Sequence, residues 1–136
     1  MQEKTGKSVL AAIPDLLFGS KVSGTAAQLG IPVRFAGTRQ ALLDGARDRP
    51  ALIVVDLEAA AVDPLGVVGE LRSLAPSAGT RLVAFASHVR QAALRQAREA
   101  GYDDVLTRGA LSAGLPALLA PLQAASSADG VRSQPD

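Results

Sequence analysis

Several polar residues of this chain follow apolar runs directly, and three of them have the side chains of an acyl-transfer site. Ser87 and His88 are adjacent in "RLVAFASH", and Asp15 follows "LAAIP". A serine beside a histidine and an acid can form a Ser/His/Asp-like set, in which the histidine acts as a general base. No G-x-S-x-G elbow surrounds Ser87, however, and this serine is also placed to cap the following helix. We therefore expect His88 to be a loop residue that faces solvent or caps the fourth helix, and the protein not to be an enzyme.

The stretch "DLLFGSKVSG", residues 15 to 24, contains groups that could bind an anion. Ser20 and Lys21 lie near the start of a predicted helix, and helix N-termini attract phosphate. The glycine spacing matches neither G-x-G-x-x-G nor a phosphate-binding P-loop. A small-ligand crevice that includes Lys21 and His88 is one interpretation, and a solvated helix face is the simpler one.

A lone carboxylate, that of Asp56, lies near the end of the most apolar run, "ALIVVDL". Arg108 ends the last such run, "DVLTR". A guanidinium group can hold a carboxylate with two hydrogen bonds, which a lysine cannot do. Asp56 is therefore interpreted as an acid that is tied to Arg108 or caps a loop. The chain has no cysteine and one histidine, which excludes disulfides, thiolate nucleophiles and a zinc site built from histidines.

The elements that position these residues are five apolar runs, which alternate with helix-like segments. The runs cover residues 8–13, 32–37, 51–57, 81–87 and 104–108. Such alternation predicts repeated βα units, and right-handed crossovers then give a three-layer α/β sandwich of the flavodoxin-like type, with a parallel five-stranded sheet in the order 2-1-3-4-5. The carboxyl ends of the strands share one edge. That edge is predicted to gather Asp15, Asp56, Glu58, Ser87, His88 and Arg108.

The helical segments have predicted starts and inward faces. Thr38 is placed to cap the second helix, and Asp63 to cap the third, with Pro64 as its first residue. The fifth helix is predicted to begin near Ser112, with Pro116 confined to its first turn. The fourth helix is predicted to face the core with three alanines, namely Ala93, Ala97 and Ala100.

Composition indicates one domain and argues against several partner classes. Of 136 residues, 48% are hydrophobic and 3% aromatic, and the net charge is +1. The chain therefore offers neither a basic field nor stacking rings for nucleic acid, and no attraction to acidic membranes. The polar start is followed by a short apolar run that Pro14 interrupts, so we expect neither a signal peptide nor a membrane span, and a cytoplasmic protein.

The predicted domain division has three parts. Residues 1–7 form an N-terminal extension, and residues 8–123 form the folded domain. Residues 124–136, "AASSADGVRSQPD", are small, polar and without periodicity, which predicts a disordered C-terminal tail.

Two strings in the chain resemble the receiver domain of bacterial two-component response regulators, the CheY-like fold. "LIVVDLEAAAVDPLGVVGELRSL" is similar to the receiver's third strand, phosphoacceptor aspartate, loop and third helix, with Asp56 at the acceptor and Asp63 at the acid that opens the next helix. "AREAGYDDVLTRGAL" is similar to the receiver's "ALEAGADDYLTKPF", with Gly101, Asp103 and Asp104 in place. The resemblance covers roughly residues 7 to 122, and it implies that working members accept a phosphoryl group on this aspartate with the help of Mg²⁺.

The chain departs from that pattern at most of the positions that the chemistry requires. Ile13 and Pro14 stand where the family has an acidic pair, so that only Asp15 remains nearby. Further departures are Ala86 at the hydroxyl position, with Ser87 one step on, Val105 at the switch aromatic, Arg108 for the lysine and Gly109 for the proline. These departures favour a degenerate receiver, or pseudoreceiver. Asp56 is then a phosphoacceptor equivalent, and Asp15, Ser87 and Arg108 are equivalents of other receiver-site residues. No metal is expected, and the carboxylates of Asp15 and Asp56 are the candidates if one binds.

The functional hypothesis is a stand-alone pseudoreceiver that binds another signalling protein independently of phosphorylation, in bacterial signalling and without a cofactor. In receivers the fourth helix, fifth strand and fifth helix usually meet partners, and here Arg90, Arg95 and Arg98 are predicted to make that face attractive to an acidic protein. The protein could be a monomer or a homodimer. One alternative is a working response regulator, phosphorylated on Asp56 by a histidine kinase with Mg²⁺. Another is a small-ligand-binding flavodoxin-like domain.

Overall fold

A parallel β-sheet with helices on both faces organises the chain. The computed structural model describes residues 8–74 and 79–132, with side chains up to Gln123. The strands are β1 (Val9–Ala12), β2 (Val33–Phe35), β3 (Leu52–Asp56), β4 (Arg81–Ala86) and β5 (Asp104–Thr107). The helices are α1 (Leu16–Gln28), α2 (Arg39–Ala46), α3 (Val67–Leu74), α4 (Gln91–Ala100) and α5 (Arg108–Arg132), with a 3₁₀ turn at Ala60–Val62.

The strand order is β2-β1-β3-β4-β5, and every neighbouring pair is parallel. This confirms the predicted (βα)₅ flavodoxin-like architecture and its order 2-1-3-4-5. Asp56, the last residue of β3, pairs in register with Phe85 of β4, and Ala86 pairs with Thr107 of β5. The ends of β3, β4 and β5 are therefore adjacent at one edge, which is called here the carboxyl edge.

Two hydrophobic clusters, one on each face of the sheet, form the core. Alternate strand residues point to opposite faces, so β3 supplies Ile53 and Val55 to one cluster and Leu52 and Val54 to the other. The first cluster also contains side chains from α2, α3 and α4, and the second contains side chains from α1 and α5. All five residues of β3 are buried, as expected for a central parallel strand that helices cover on both faces. Among the described residues, no helix combines the length and apolarity that a membrane crossing requires.

Helix α5 differs from its predicted form. It begins at Arg108, directly after β5, and not at Ser112, because the Thr107 hydroxyl oxygen accepts a hydrogen bond from the Ala110 N–H (3.1 Å) and so caps a helix without a preceding loop. Consequently Pro116 lies inside the helix and not in its first turn, as does Pro121. The helix also continues to Arg132, beyond the boundary predicted at residue 123. Residues 1–7 and 133–136 of the predicted terminal segments lie outside the described residues.

Two other helices also differ from prediction in detail. In α4 the buried residues are Leu94 and Ala97, whereas Ala93 and Ala100 are half-buried, because the larger leucine occupies the centre of the inward face. Helix α3 starts at Val67, so that Pro64 lies in the preceding turn and not at the first helical position. By contrast, Thr38 caps α2 as predicted, since its hydroxyl accepts the Ala41 N–H.

Candidate functional site

Asp56 is a buried carboxylate at the carboxyl edge. Its residue is 3% exposed, and its Oδ1 accepts a hydrogen bond from the backbone N–H of Glu58 at 2.9 Å. Burial raises the pKa of Asp56, and this effect exceeds the lowering by the Glu58 hydrogen bond and by the charge of Arg108. The side chain is therefore a poorly solvated acid whose charge depends on what surrounds it.

Asp15 caps helix α1 and also contacts a cation. Its Oδ1 accepts hydrogen bonds from the backbone N–H groups of Leu17 (2.9 Å) and Phe18 (3.2 Å). Its Oδ2 accepts a hydrogen bond from Arg108 Nη1 at 3.3 Å. Both carboxylate oxygens of Asp15 already accept hydrogen bonds. The residue therefore acts mainly as a structural link between the starts of α1 and α5.

Arg108 occupies the space between the two acids. Its Nη2 lies 4.0 Å from Asp56 Oδ2, which is an ion pair but too long for a hydrogen bond. Its Cζ lies 5.2 Å from the ring centroid of Phe18 and 5.5 Å from that of Phe85. The two rings are themselves in contact, with centroids 5.0 Å apart and planes inclined at 42°. The guanidinium thus packs on two aromatic rings, in the range of cation–π attraction.

The predicted tie between Asp56 and Arg108 is therefore present as an ion pair, but not with the two parallel hydrogen bonds of a guanidinium fork. The guanidinium is shared, with one nitrogen hydrogen-bonded to Asp15 and the other turned toward Asp56. Its packing on Phe18 and Phe85 explains this arrangement, because both rings restrict where the planar group can lie. Neither ring was identified as a site residue from the sequence. An arginine following a strand gives no indication of which aromatic side chains lie beneath it.

The donor set at the carboxyl edge does not fit Mg²⁺. This ion prefers several oxygen ligands, and carboxylates above all. Ile13, which is buried, and Pro14 supply no side-chain oxygen after β1, and the carboxylates of Asp15 and Asp56 both face the positive charge of Arg108. Within residues 8–74 and 79–123, no three or more His, Cys, Asp or Glu side chains form a group that could hold a metal.

Ser87 and His88 do not form a catalytic set with Asp15. The Ser87 hydroxyl accepts a hydrogen bond from the backbone N–H of Val89 at 3.3 Å, and the Ser87 carbonyl accepts one from Arg90 N–H at 2.9 Å. Ser87 therefore stabilises the turn after β4. Its predicted role as the cap of α4 is wrong, because that helix begins after Arg90 without a side-chain cap. His88 is exposed, as predicted for a loop residue.

Lys21 is an exposed residue in the second turn of α1. The anion site considered at the start of this helix would need its free backbone N–H groups. Asp15 already accepts hydrogen bonds from two of them. The helix thus carries its own anion, which argues against a bound phosphate there.

The three arginines predicted to form a partner surface have different surroundings. Arg90 Nε donates to Glu58 Oε2 at 3.1 Å, so it joins the loop after β4 to the loop after β3. Arg95 and Arg98 lie exposed on α4. Arg90 therefore makes a loop contact within the site, whereas Arg95 and Arg98 remain available on the surface of α4.

A second set of contacts explains the motif "GYDD", residues 101 to 104. Tyr102 is buried, and its hydroxyl donates to the Pro64 carbonyl at 2.7 Å, which joins the loop after α4 to the loop before α3. Asp103 Oδ2 accepts from Leu82 N–H and its Oδ1 accepts from Arg72, both at 2.8 Å. Burial alone raises the pKa of Asp103, but these hydrogen bonds outweigh it and hold the pKa below its ordinary value. Tyr102 and Asp103 therefore stabilise the fold and do not belong to the candidate site at the carboxyl edge.

Comparisons with known proteins identify the fold. No protein-family model matches the sequence, and no curated protein is significantly similar to it. Solved structures do match, among them the chemotaxis response regulator CheY4 of Vibrio cholerae, at 18% identity over 85% of this chain and 98% of that chain, with a TM-score of 0.70.

Two further matched structures contain additional molecules. A response regulator protein from Burkholderia pseudomallei, solved with a phosphorylated aspartic acid, calcium ion and citrate, is 22% identical over 95% of this chain and 75% of that one, with a TM-score of 0.68. The receiver domain of Ssk1 from Saccharomyces cerevisiae, solved with the histidine phosphotransfer protein Ypd1, is 18% identical over 74% of this chain and 77% of that one, with a TM-score of 0.65. The chain therefore has the receiver fold that its sequence resembles.

Proposed function

We propose that this protein is an atypical receiver, or pseudoreceiver, which acts by binding another signalling protein and does not depend on phosphorylation. The observation that carries this proposal is the position of the Arg108 guanidinium between Asp15 and Asp56, packed on two phenylalanine rings. The protein would have no catalytic cycle of its own and no cofactor.

Charge is the physical basis of the proposal. The Burkholderia pseudomallei neighbour was solved with a phosphorylated aspartic acid and calcium, that is, with an anion and a divalent cation. In this protein one cation, the guanidinium of Arg108, forms ion pairs with both carboxylates, those of Asp15 and Asp56. A divalent ion about 5 Å from a guanidinium would be repelled by about 7 kcal/mol at an effective dielectric constant of about 20. This repulsion offsets part of the attraction between such an ion and the two carboxylates, which Arg108 already neutralises in part, so the geometry favours a site that keeps Arg108 in place of a metal.

The route from the site to the surface is also altered. The family resemblance implies that a working receiver carries the response from the site to the surface through a hydroxyl on β4 and an aromatic side chain on β5. At these positions the chain has Ala86, which is buried, and Val105, which is half-buried. The tyrosine that is present nearby, Tyr102, has its hydroxyl bonded to the backbone of Pro64. These features support a site that keeps one conformation and a protein that signals by direct contact with its partner.

The partner in this proposal is a signalling protein of the bacterial cytoplasm. The Ssk1 receiver was solved bound to a histidine phosphotransfer protein, and a contact with a protein of signalling function is the property we transfer to this chain. The exposed Arg95 and Arg98 on α4 would favour an acidic surface on that partner. Both a monomer and a homodimer are compatible with the proposal.

Beryllofluoride, which mimics a phosphoryl group on aspartate, provides the test. The amide spectrum of the ¹⁵N-labelled protein is recorded with and without Mg²⁺ and beryllofluoride. We expect no shift at residues 56–58 or 107–109. The matched variant is Arg108→Lys, which restores the residue type of the family and frees the space between the acids. Broad shifts of the wild-type spectrum around Asp56 would contradict the proposal, and shifts in the variant alone would identify Arg108 as the residue that closes the site.

A second candidate is a working response regulator phosphorylated on Asp56. The observation that favours it is the place of Asp56 at the end of the central strand, beside the end of β4. This candidate requires Arg108 to leave Asp15 when Mg²⁺ binds. The same spectra separate it from the main proposal, and mass spectrometry of the protein isolated from its own cells would detect an added phosphoryl group.

A further inference from the structure

A cavity lies at the amino ends of the strands, opposite the carboxyl edge. Its floor includes the first residues of β3, β4 and β5, which are Leu52, Arg81 and Asp104, and its wall includes Leu118 and Leu122 of α5. The volume of about 480 Å³ is within the range of small-molecule pockets. The length of β3, about 13 Å from its first residue to its last, separates this space from the candidate site. We call it the amino-edge cavity.

The apolar part of the amino-edge cavity is held in place by the fold. Leu52 is buried, and Leu118 and Leu122 are half-buried and pack against the hydrophobic cluster beneath α1 and α5. The end of the α5 wall is joined to the end of α1, since Gln123 Nε2 donates to the Leu29 carbonyl at 3.2 Å. The cavity is therefore preformed, and an apolar group can enter it without rearrangement of the core.

An ion pair forms the polar part of the floor. Arg81 Nε donates to Asp104 Oδ2 at 2.7 Å. Both residues occupy positions of the strand alternation that face α5, since Val83 and Leu106, two residues further along, belong to the cluster on that face. In the part of the chain whose side chains are described, the pair leaves the Arg81 Nη groups as donors and Asp104 Oδ1 as an acceptor without hydrogen-bond partners. The floor therefore offers a donor and an acceptor side by side.

A proline in α5 adds an acceptor at the rim. Pro121 has no N–H group to donate to the carbonyl of Ala117, four residues earlier. Both residues are exposed and line the cavity. The Ala117 carbonyl thus lacks its usual helical partner at the point where a ligand would enter.

We propose that the amino-edge cavity binds an uncharged amphiphilic small molecule, with an apolar chain against Leu118 and Leu122 and a carboxamide-like head group on the Arg81–Asp104 pair. A carboxamide matches the two open positions of the pair, because its N–H donates to the carboxylate and its oxygen accepts from the guanidinium. A charged head would lose hydration beside a pair that is already neutral, and it would meet one like charge. This inference goes beyond the proposed function, because it assigns a ligand to a site remote from Asp56.

Four small probes test the proposal by titration of the ¹⁵N-labelled full chain. Octanamide should give saturable amide shifts at residues 51–52, 81–82 and 117–120 and leave residues 56–58 and 107–109 unaffected. Butanamide has the same head and four fewer methylene groups. It should bind more than about tenfold more weakly, because each buried methylene corresponds to roughly a fourfold change in affinity. Octanoate and octylammonium, which keep the chain and change the head, should both bind more weakly than octanamide.

Two variants with the same substitution locate the bound probe. Ala117→Phe places a ring at the rim of the cavity and should eliminate the saturable octanamide shifts. Ala120→Phe places the same ring at an exposed position of α5 that does not line the cavity, and it should leave octanamide binding unchanged. Both variants should fold normally, as circular dichroism would show, since both alanines are exposed.

Several outcomes would overturn the inference. These are the absence of saturable shifts with octanamide, equal binding of octanamide and butanamide, and binding of either charged probe as tightly as octanamide. Equal effects of the two phenylalanine substitutions would overturn it as well. The test is independent of the proposed function, because beryllofluoride is followed at residues 56–58 and 107–109, at the other end of the strands.

Discussion

Replacement of Arg108 by methionine is the perturbation that most directly tests the site. Methionine keeps an unbranched side chain of similar reach and removes the charge. The variant loses two cation–π contacts, worth about 1 kcal/mol each at a partly exposed position, and a half-exposed ion pair with Asp15, worth at most about 1 kcal/mol. It also leaves the buried carboxylate of Asp56 without a nearby cation, at about 1–3 kcal/mol. We expect the free energy of unfolding at pH 7 to fall by about 3–6 kcal/mol.

Urea denaturation followed by circular dichroism measures this change, and a second substitution shows its origin. In the Asp56→Asn background the carboxylate charge is absent, so Arg108→Met should cost less by about 1–2 kcal/mol, as the coupling energy of a double-mutant cycle. The control is Arg95→Met on the exposed face of α4, which should change stability by no more than about 0.5 kcal/mol. If Arg108→Met matched this control, or if its cost were the same in both backgrounds, the guanidinium would not be compensating Asp56 and the reasoning would be refuted.

Three further expectations concern buried groups and close contacts. Burial raises the pKa of Asp56 above the ordinary 3.8, so ionisation of this group destabilises the folded state as the pH rises from 3.8 through the raised pKa. Asp56→Asn should therefore increase the free energy of unfolding relative to the wild type at pH 7. In acid-titrated urea curves this difference should disappear below about pH 3.8. Tyr102→Phe leaves a buried carbonyl without its hydrogen bond and should cost about 1–3 kcal/mol in the same denaturation assay, whereas full wild-type stability would show that the bond contributes nothing. Gly45→Ala would place its Cβ 2.7 Å from a methyl carbon of Leu10 and should destabilise the fold by about 1–3 kcal/mol. Gly24→Ala in α1 would meet no atom within 4 Å and should stabilise the fold by about 0.5–1 kcal/mol. The melting temperatures of the two variants should therefore move in opposite directions.

The fold was predictable from the sequence because its signals are local. Apolar runs separated by helical segments imply parallel strands, and the fully apolar "LIVV" of β3 indicates a central position. The start of α5 was misplaced because the pattern of leucines begins later than the helix itself. Thr107 caps the helix at a point where the sequence still has the character of a strand. In α4 only Ala97 of the three alanines predicted to face inward is buried, and Ala93 and Ala100 are half-buried because Leu94 takes part of the inward face.

The candidate site was predictable only in part. The gathering of Asp15, Asp56 and Arg108 at one edge follows from the strand order, and the structure brings the three together. The roles of Phe18 and Phe85 depend on the distance between a helix and a strand that are far apart in the sequence, which no local pattern encodes. The engagement of Asp15 as a helix cap was missed as well, although an aspartate directly before a helix is the usual signal for that role.

The junction between β5 and α5 contains no linking residue, since Thr107 ends the strand and Arg108 begins the helix. The guanidinium is therefore attached to the first turn of α5 itself, ahead of the internal prolines Pro116 and Pro121. With no loop between the strand and the helix, a shift of the first turn of α5 relative to β3 would directly change the 4.0 Å separation between Arg108 and Asp56.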